Sequence, residues 1–242
     1  MNELKEITEY LSLQDKKVKN HVVIVCKDDL KFPFLLHIDR VVPEKFIPLI
    51  PVRAAPLEDK TIARIAVADT LLGCMLAYGN IYYDYNILKS INYKISKLNF
   101  EYAIKPNNKL VYDSKETNEH WLIPYNKKHA TYKPVEIGNF FLSDLKFKEI
   151  GIGNKPVIIV TYMSIFCEVN EEMSFSSSKV LKPGFYRILF NTESMYSNNY
   201  SYKNDRDFTI EVVSKIEFNK EKLDSITMLN NSSKTTPLYG KW

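Results

Sequence analysis

Glycine is scarce in this chain, 7 residues among 242, and none falls in a GxGxxG or P-loop pattern. The Gly-rich loops that cradle phosphates are therefore absent. Cysteine is rarer still: Cys26, Cys74 and Cys167 are odd in number and far apart, which excludes a disulfide framework and points to a reducing compartment. No CxxC, HExxH or GxSxG is present, so common redox, zinc-peptidase and α/β-hydrolase sites are missing. No apolar run approaches ~18 residues, which leaves no spanning helix and no membrane partner. The opening MNELKEITEY is polar and acidic, unlike a secretory signal. A cytoplasmic protein is expected.

Arginine is also thin. Only Arg40, Arg53, Arg64, Arg187 and Arg206 stand among the 33 basic residues, which are set against 29 acidic ones for a net charge of +4. Lysines scattered among acids make a solvated surface rather than a nucleic-acid face. A single-strand binder built on Lys and aromatic side chains would need a basic groove, and the balanced charge does not favour one. His120 and His129 have no second pair of ligands to join them, so no metal is expected. Cys74 and Cys167 lie inside predicted elements, where cysteine is normally a small core residue.

What the chain does have is aromatic mass: 16 Tyr and 13 Phe, a composition suited to β-sheet. A chain of this size buries about 70% of its extended surface on folding, enough for a core without staples. Residues 1–19 read as an amphipathic helix, with Leu4, Ile7 and Leu11 near one face. The β-branched run from His21 to Cys26 predicts a buried strand, and Phe32 to Ile38 a second. Pro43, Pro48, Pro51 and Pro56 then forbid regular structure over 41–59. Ile62 to Asp69 reads as a strand, with Asp69 or Thr70 capping a helix from Leu71 to Tyr78 that Gly79 closes. Further strands are expected over 98–105, 109–113 and 119–123.

After Pro134 the pattern is that of antiparallel β. Strands are expected over 140–150, 156–169, 179–191 and 207–218, followed by a helix over 220–229. The expected fold is α+β, with a mixed N-terminal region over 1–133 and an antiparallel β-rich region with a C-terminal helix over 134–242. The second is a separate domain or part of the same one.

One constellation could carry chemistry. Leu35-Leu36-His37-Ile38-Asp39 ends a strand. Glu58-Asp59-Lys60-Thr61 leads through Arg64 to Asp69 and the short helix ending near Tyr78. Phe100 to Ile104 and Leu110 to Asp113 follow, and Glu116-Thr117-Asn118-Glu119 precedes His120-Trp121. This order resembles the ADP-ribosyltransferase-like superfamily, including its RNA 2′-phosphotransferase and small toxin-like branches, over residues 32–125. The resemblance implies a split sheet, NAD as cofactor, and transfer to an unknown protein or nucleic-acid acceptor. It places His37 on the ribose, with Glu119 or Glu116 as the catalytic acid. Arg40, Arg53 and Arg64 would hold the pyrophosphate, and Asp69, Thr70 and Tyr78 would line the cofactor pocket. Leu71 stands where many members carry an aromatic residue after a Ser or Thr. Such a site works by fixing the ribose hydroxyls and placing negative charge beside an oxocarbenium-like centre.

The same residues also fit a plainer account. A strand-end His is often a structural hydrogen-bonder, and Glu116 and Glu119 sit in a polar stretch. On that account the chain is a non-enzymatic binding or assembly protein using a Tyr-rich β surface, with Phe140-Phe141 and the Tyr196 to Tyr202 stretch as contact sites. The two accounts part on convergence: an enzyme needs His37, an arginine and Glu116 or Glu119 in one cleft.

Overall fold

A computed structural model describes residues 2–51, 58–78, 92–111, 114–152, 155–190, 195–196 and 208–232. The helix expected at the N-terminus forms in two pieces, α1 (Glu3–Ser12) and α2 (Lys16–Lys19), because Asp15 breaks in as a new N-cap that accepts from the Lys17 N–H. Ile7, Leu11 and Val18 point inward from these helices. Then follow β1 (Val22–Cys26), β2 (Phe34–Asp39), β3 (Ile65–Ala68) and α3 (Leu71–Ala77). Thr70, not Asp69, caps α3: its hydroxyl accepts from the Gly73 N–H at 3.1 Å. The Gly79 expected to close the helix lies outside the described residues.

The strand read across 98–105 is two strands. β4 (Asn92–Asn99) and β5 (Tyr102–Pro106) are separated by a turn at Phe100-Glu101, and residues 108–111 turn where a strand over 109–113 is expected, 112 and 113 lying outside the described residues. The short helix α4 (Ser114–Thr117) leads into β6 (Glu119–Leu122). A long hairpin, β7 (Pro134–Ile152) and β8 (Lys155–Val169), opens the second half. It is followed by β9 (Met173–Ser174), β10 (Val180–Leu181), β11 (Gly184–Phe190), β12 (Met195–Tyr196), β13 (Phe208–Val212) and the helix α5 (Lys215–Ser232). α5 starts well before the expected residue 220 and ends the expected final strand at Val212. No helix among the described residues is long and apolar enough to cross a membrane.

The expected α+β class with a mixed first half is corrected by the sheet. Strand outweighs helix, 43% against 24%. Ten strands run in the order β1-β5-β6-β3-β2-β4-β7-β8-β11-β13, with β12 added against β8, while β9 and β10 pair separately. Every strand pairing among the described residues is antiparallel. The error has a physical source. Continuous β-branched runs such as Val22–Cys26 suggest strands buried on both faces inside a mixed sheet. Here β1 lies at the edge of an antiparallel sheet, and packing against α1 and α2 supplies the apolar demand. The pairing of β4 with β7 carries the sheet across residue 134.

Helices divide the two faces. α3 packs on one face with Leu36, Ile38, Ala68, Tyr93 and Phe140, and α1 and α2 cover the same face beside Ile104 and Trp121. We call this the α3 face. On the opposite face lie Leu35, Ile65, Val67, Leu98, Ala103 and Leu122, under Phe46 and Tyr132. Each fully buried aliphatic side chain contributes about 1.5–3 kcal/mol. α3 sits so close to α4 that a Cβ on Gly73 would overlap the Thr117 carbonyl oxygen.

Candidate functional site

Strand register decides which candidate residues can meet. Leu36 of β2 stands opposite Ala68 of β3, and Ala68 stands opposite Glu119 of β6. These three share the α3 face. Side chains alternate along a strand, so His37 projects from the other side. His37 and Glu119 therefore stand on opposite faces of the sheet. His37 is opposite Ser96 of β4, and its ring meets Phe46 edge-on with centroids 4.6 Å apart. Its Nδ1 lies 3.1 Å from the Ala66 carbonyl oxygen. A carbonyl only accepts, so Nδ1 carries the proton. Burial lowers the pKa of this ring, partly offset by the Ala66 hydrogen bond and by Asp39.

On the α3 face, Arg64, Trp121 and Glu119 form one connected group. The Arg64 guanidinium lies over the Trp121 ring at 4.0 Å. Nη2 donates to Glu58 Oε1 at 2.6 Å and to the Asp59 carbonyl at 3.0 Å. Asp59 also takes the Thr61 and Ile62 N–H groups, so the turn that precedes β3 is built around its carboxylate. Trp121 Nε1 donates to Glu119 Oε1 at 2.6 Å. Arg64, Asp59, Glu119 and Trp121 are all buried. A buried charge is tolerated only when paired and hydrogen-bonded, and Arg64 meets that condition through Glu58 and Asp59. Ala66, directly opposite Trp121, is exposed at its margin. Thr70 and Tyr78 sit at the two ends of α3 on this face, where Tyr78 packs edge-on against Tyr93 at 5.5 Å.

The opposite face holds a second polar group that sequence reading did not assemble. Lys105 Nζ donates to the Asn118 amide oxygen, and the Asn118 amide N–H donates to Asp69 Oδ1. The Asn118 backbone carbonyl accepts from His120 Nδ1 at 2.8 Å. Asn118 has φ +49°, the left-handed conformation that Asn tolerates better than most residues. Burial lowers the His120 pKa and Lys105 adds to that, while Asp69 and the Asn118 hydrogen bond oppose it. Asp69 thus belongs with Lys105 and His120, on the face away from Glu119. The sequence signal was the Asn at 118 between a helix and a strand, a position that calls for φ > 0. No cluster of three or more His, Cys, Asp or Glu able to hold a metal occurs among the described residues.

The remaining candidates scatter. Arg40 is exposed past the end of β2, its N–H held by the Asp39 carboxylate. Arg53 lies outside the described residues, and Glu116 is described by its backbone alone, within α4. Cys74 and Cys167 are buried, and burial pushes both thiols up. The Cys74 thiol donates to the Leu36 carbonyl at 3.1 Å. Phe140 and Phe141 are buried, so they serve the core and not a contact surface. The stretch from Ser197 to Tyr202 lies outside the described residues.

The feature that sequence reading missed is the Pro-rich segment itself. Phe46 exchanges backbone hydrogen bonds with Tyr132 at 2.8 and 2.9 Å, and Leu49 does so with Arg64 at 3.0 and 3.2 Å. Between and around these anchors Val41, Ile47, Leu49 and Ile50 are exposed, Leu49 by 67%. Comparison with protein-family models, curated proteins and solved structures returned no match to this chain.

Proposed function

We propose that this chain is a non-enzymatic binding or assembly protein that acts in a reducing compartment, the cytoplasm. Its contact element is the segment from Val41 to Ile50. The observation that carries this reading is a backbone fixed at two bridges with four large aliphatic side chains left exposed. Pro43 and Pro48 restrict the backbone further, which lowers the entropy lost on binding. A partner groove that covered all four side chains would gain about 1.5–3 kcal/mol from each before association costs. The partner chemistry is that of a protein with an apolar groove. Of the contact sites expected on a Tyr-rich β surface, Phe140 and Phe141 are interior and take no part in this reading. The unpaired Cys26, Cys74 and Cys167 support the compartment.

An NAD-using transferase is the competing reading. It requires His37 and Glu119 to reach one ribose, and their register sets them on opposite faces of the sheet. It also asks Arg64 to release Glu58 and Asp59 in favour of a pyrophosphate. Both readings are tested together. A photo-crosslinking amino acid is placed at Leu49, or at the still more exposed Leu13 as control, in the cells that make the protein. Nicotinamide release from NAD is followed with the purified chain. The binding reading expects one discrete adduct from position 49, none from 13, and no nicotinamide. Nicotinamide release that Glu119→Gln abolishes would overturn it, as would equal labelling from both positions.

A further inference from the structure

The exposed edge of the sheet offers a surface distinct from the 41–50 segment. Among the described residues β1 has one neighbour, β5, with Val22 opposite Pro106 and Cys26 opposite Tyr102. Two flanking hydrogen bonds set the phase of this ladder: Asn107 N–H to the His21 carbonyl, and Lys27 N–H to the Glu101 carbonyl. In an antiparallel pair the bonded positions alternate, so residues 21, 23, 25 and 27 bond inward to β5. The N–H and C=O groups of Val22, Ile24 and Cys26 then point outward. One of the three N–H groups is already capped, since Cys26 N–H donates to Asp29 Oδ2 at 3.0 Å. Among the described residues nothing bonds the outward groups of Val22 and Ile24.

Edge strands are normally blunted by Pro, Lys or a bulge. β1 carries none of these from Val22 to Val25, and Val23 is 67% exposed. The far edge, β13, is different: Thr209 and Glu211 are exposed along it. We infer that β1 pairs with the β1 of a second copy of this chain, antiparallel, about a two-fold axis at Val23. In that register Val22 of each copy faces Ile24 of the other. Four backbone hydrogen bonds form, from the four N–H groups to the four carbonyls that β5 leaves unused, and the Cys26 cap stays intact. Val23 meets Val23 of the second copy at a non-hydrogen-bonded position, where Cα atoms approach to about 4.5 Å. That contact covers the exposed valine.

Charge selects a second copy over an arbitrary peptide. Exposed Lys16, Lys17 and Lys19 precede β1, and exposed Asp28 and Asp29 follow it. Antiparallel pairing brings the basic end of one copy against the acidic end of the other, twice, as a self-complementary two-fold interface requires. Both groups lie in helical turns that flank β1, so the charges meet end to end beyond the paired strands. Lys27 is already matched by its own Glu101 at 2.8 Å, so it adds no repulsion at the seam.

Sedimentation equilibrium of the full chain at low and high salt tests the pairing. The wild type is expected to form a dimer whose Kd rises at least several-fold at 0.5 M salt, because exposed ion pairs are screened. Val23→Lys sets like charges directly opposite and should leave a monomer with unchanged circular dichroism; Val212→Lys on the far edge should leave the dimer intact. As a second variant, Val23→Cys in a Cys26→Ser background should form a covalent dimer with oxidised glutathione, while Leu13→Cys should not. A wild type that stays monomeric at 100 µM overturns the proposal. So does a dimer that survives Val23→Lys but not Val212→Lys, or equal cross-linking from positions 13 and 23.

Discussion

At the scale of single residues, the Arg64 group is the most consequential arrangement in the first half. Arg64 is stacked on Trp121 and bound by Glu58 and the Asp59 backbone, all within the turn that precedes β3. Removing one partner of a buried pair strands the other, so Arg64→Ala should cost about 3–5 kcal/mol. Arg40→Ala, at an exposed position, should stay within about 0.5 kcal/mol of wild type. Urea midpoints of the two variants measure the contrast. Trp121→Phe keeps an aromatic ring but deletes the indole N–H that donates to Glu119, and a cost of about 1–3 kcal/mol is expected from the lost hydrogen bond to a buried carboxylate. The histidines give a pH dependence. Burial lowers the pKa of His37, His120 and His129 in the fold relative to about 6.5 in the unfolded chain. Their contribution is therefore complete above about pH 6.5 and is lost as pH falls through the lower folded values. The urea midpoint should drop between pH 7.5 and 5.5, and replacing His37 and His120 with Gln should flatten that drop.

Elements show which parts of the fold could be read locally. The Thr70 cap and the apolar face of α1 are short-range patterns; the cap forms, and Ile7 and Leu11 are buried while Leu4 is exposed. Thr70→Ala should cost about 1 kcal/mol, read as a lower urea midpoint with α3 otherwise intact. The β-branched run at 22–26 is a strand, but its partner lies near residue 104, and no local pattern names a partner that distant. The candidate site failed to assemble for the same reason. Whether His37 and Glu119 share a face depends on the joint register of β2, β3 and β6, and a shift of one residue would reverse the answer. Asn118 was legible as a residue that accepts φ > 0, yet the Lys105 and Asp69 side chains that use its amide come from other strands. α1 is fastened by a similar long-range group: Glu3 accepts from Lys128 at 2.7 Å and from the Tyr125 hydroxyl at 3.1 Å, and Glu6 accepts from Asn126. The hydrogen bond from Lys128 holds the Glu3 carboxyl below its usual range, against some desolvation.

On the scale of the whole molecule, a continuous sheet joins residues before and after position 134. β4 pairs with β7 over Asn92 to Leu98, and Tyr93 stacks on Phe140 at 5.0 Å. Burial of this seam couples the two halves, so unfolding should be one transition. Fluorescence of Trp121, in β6, read in a Trp242→Phe background, and far-ultraviolet circular dichroism, dominated by the whole sheet, should give coincident curves. Two separated transitions would mean that the seam is too weak to couple them.

The topology also dictates an order of assembly during synthesis. β1 is made early, but its partner among the described residues, β5, ends at Pro106, some 80 residues later. At about 5–20 residues per second, the ribosome leaves Val22–Cys26 without a ladder for roughly 4–16 s. During that interval two nascent chains on neighbouring ribosomes present the same apolar strand to each other. Translation that stalls before residue 106 should therefore raise aggregation more than a stall placed after it.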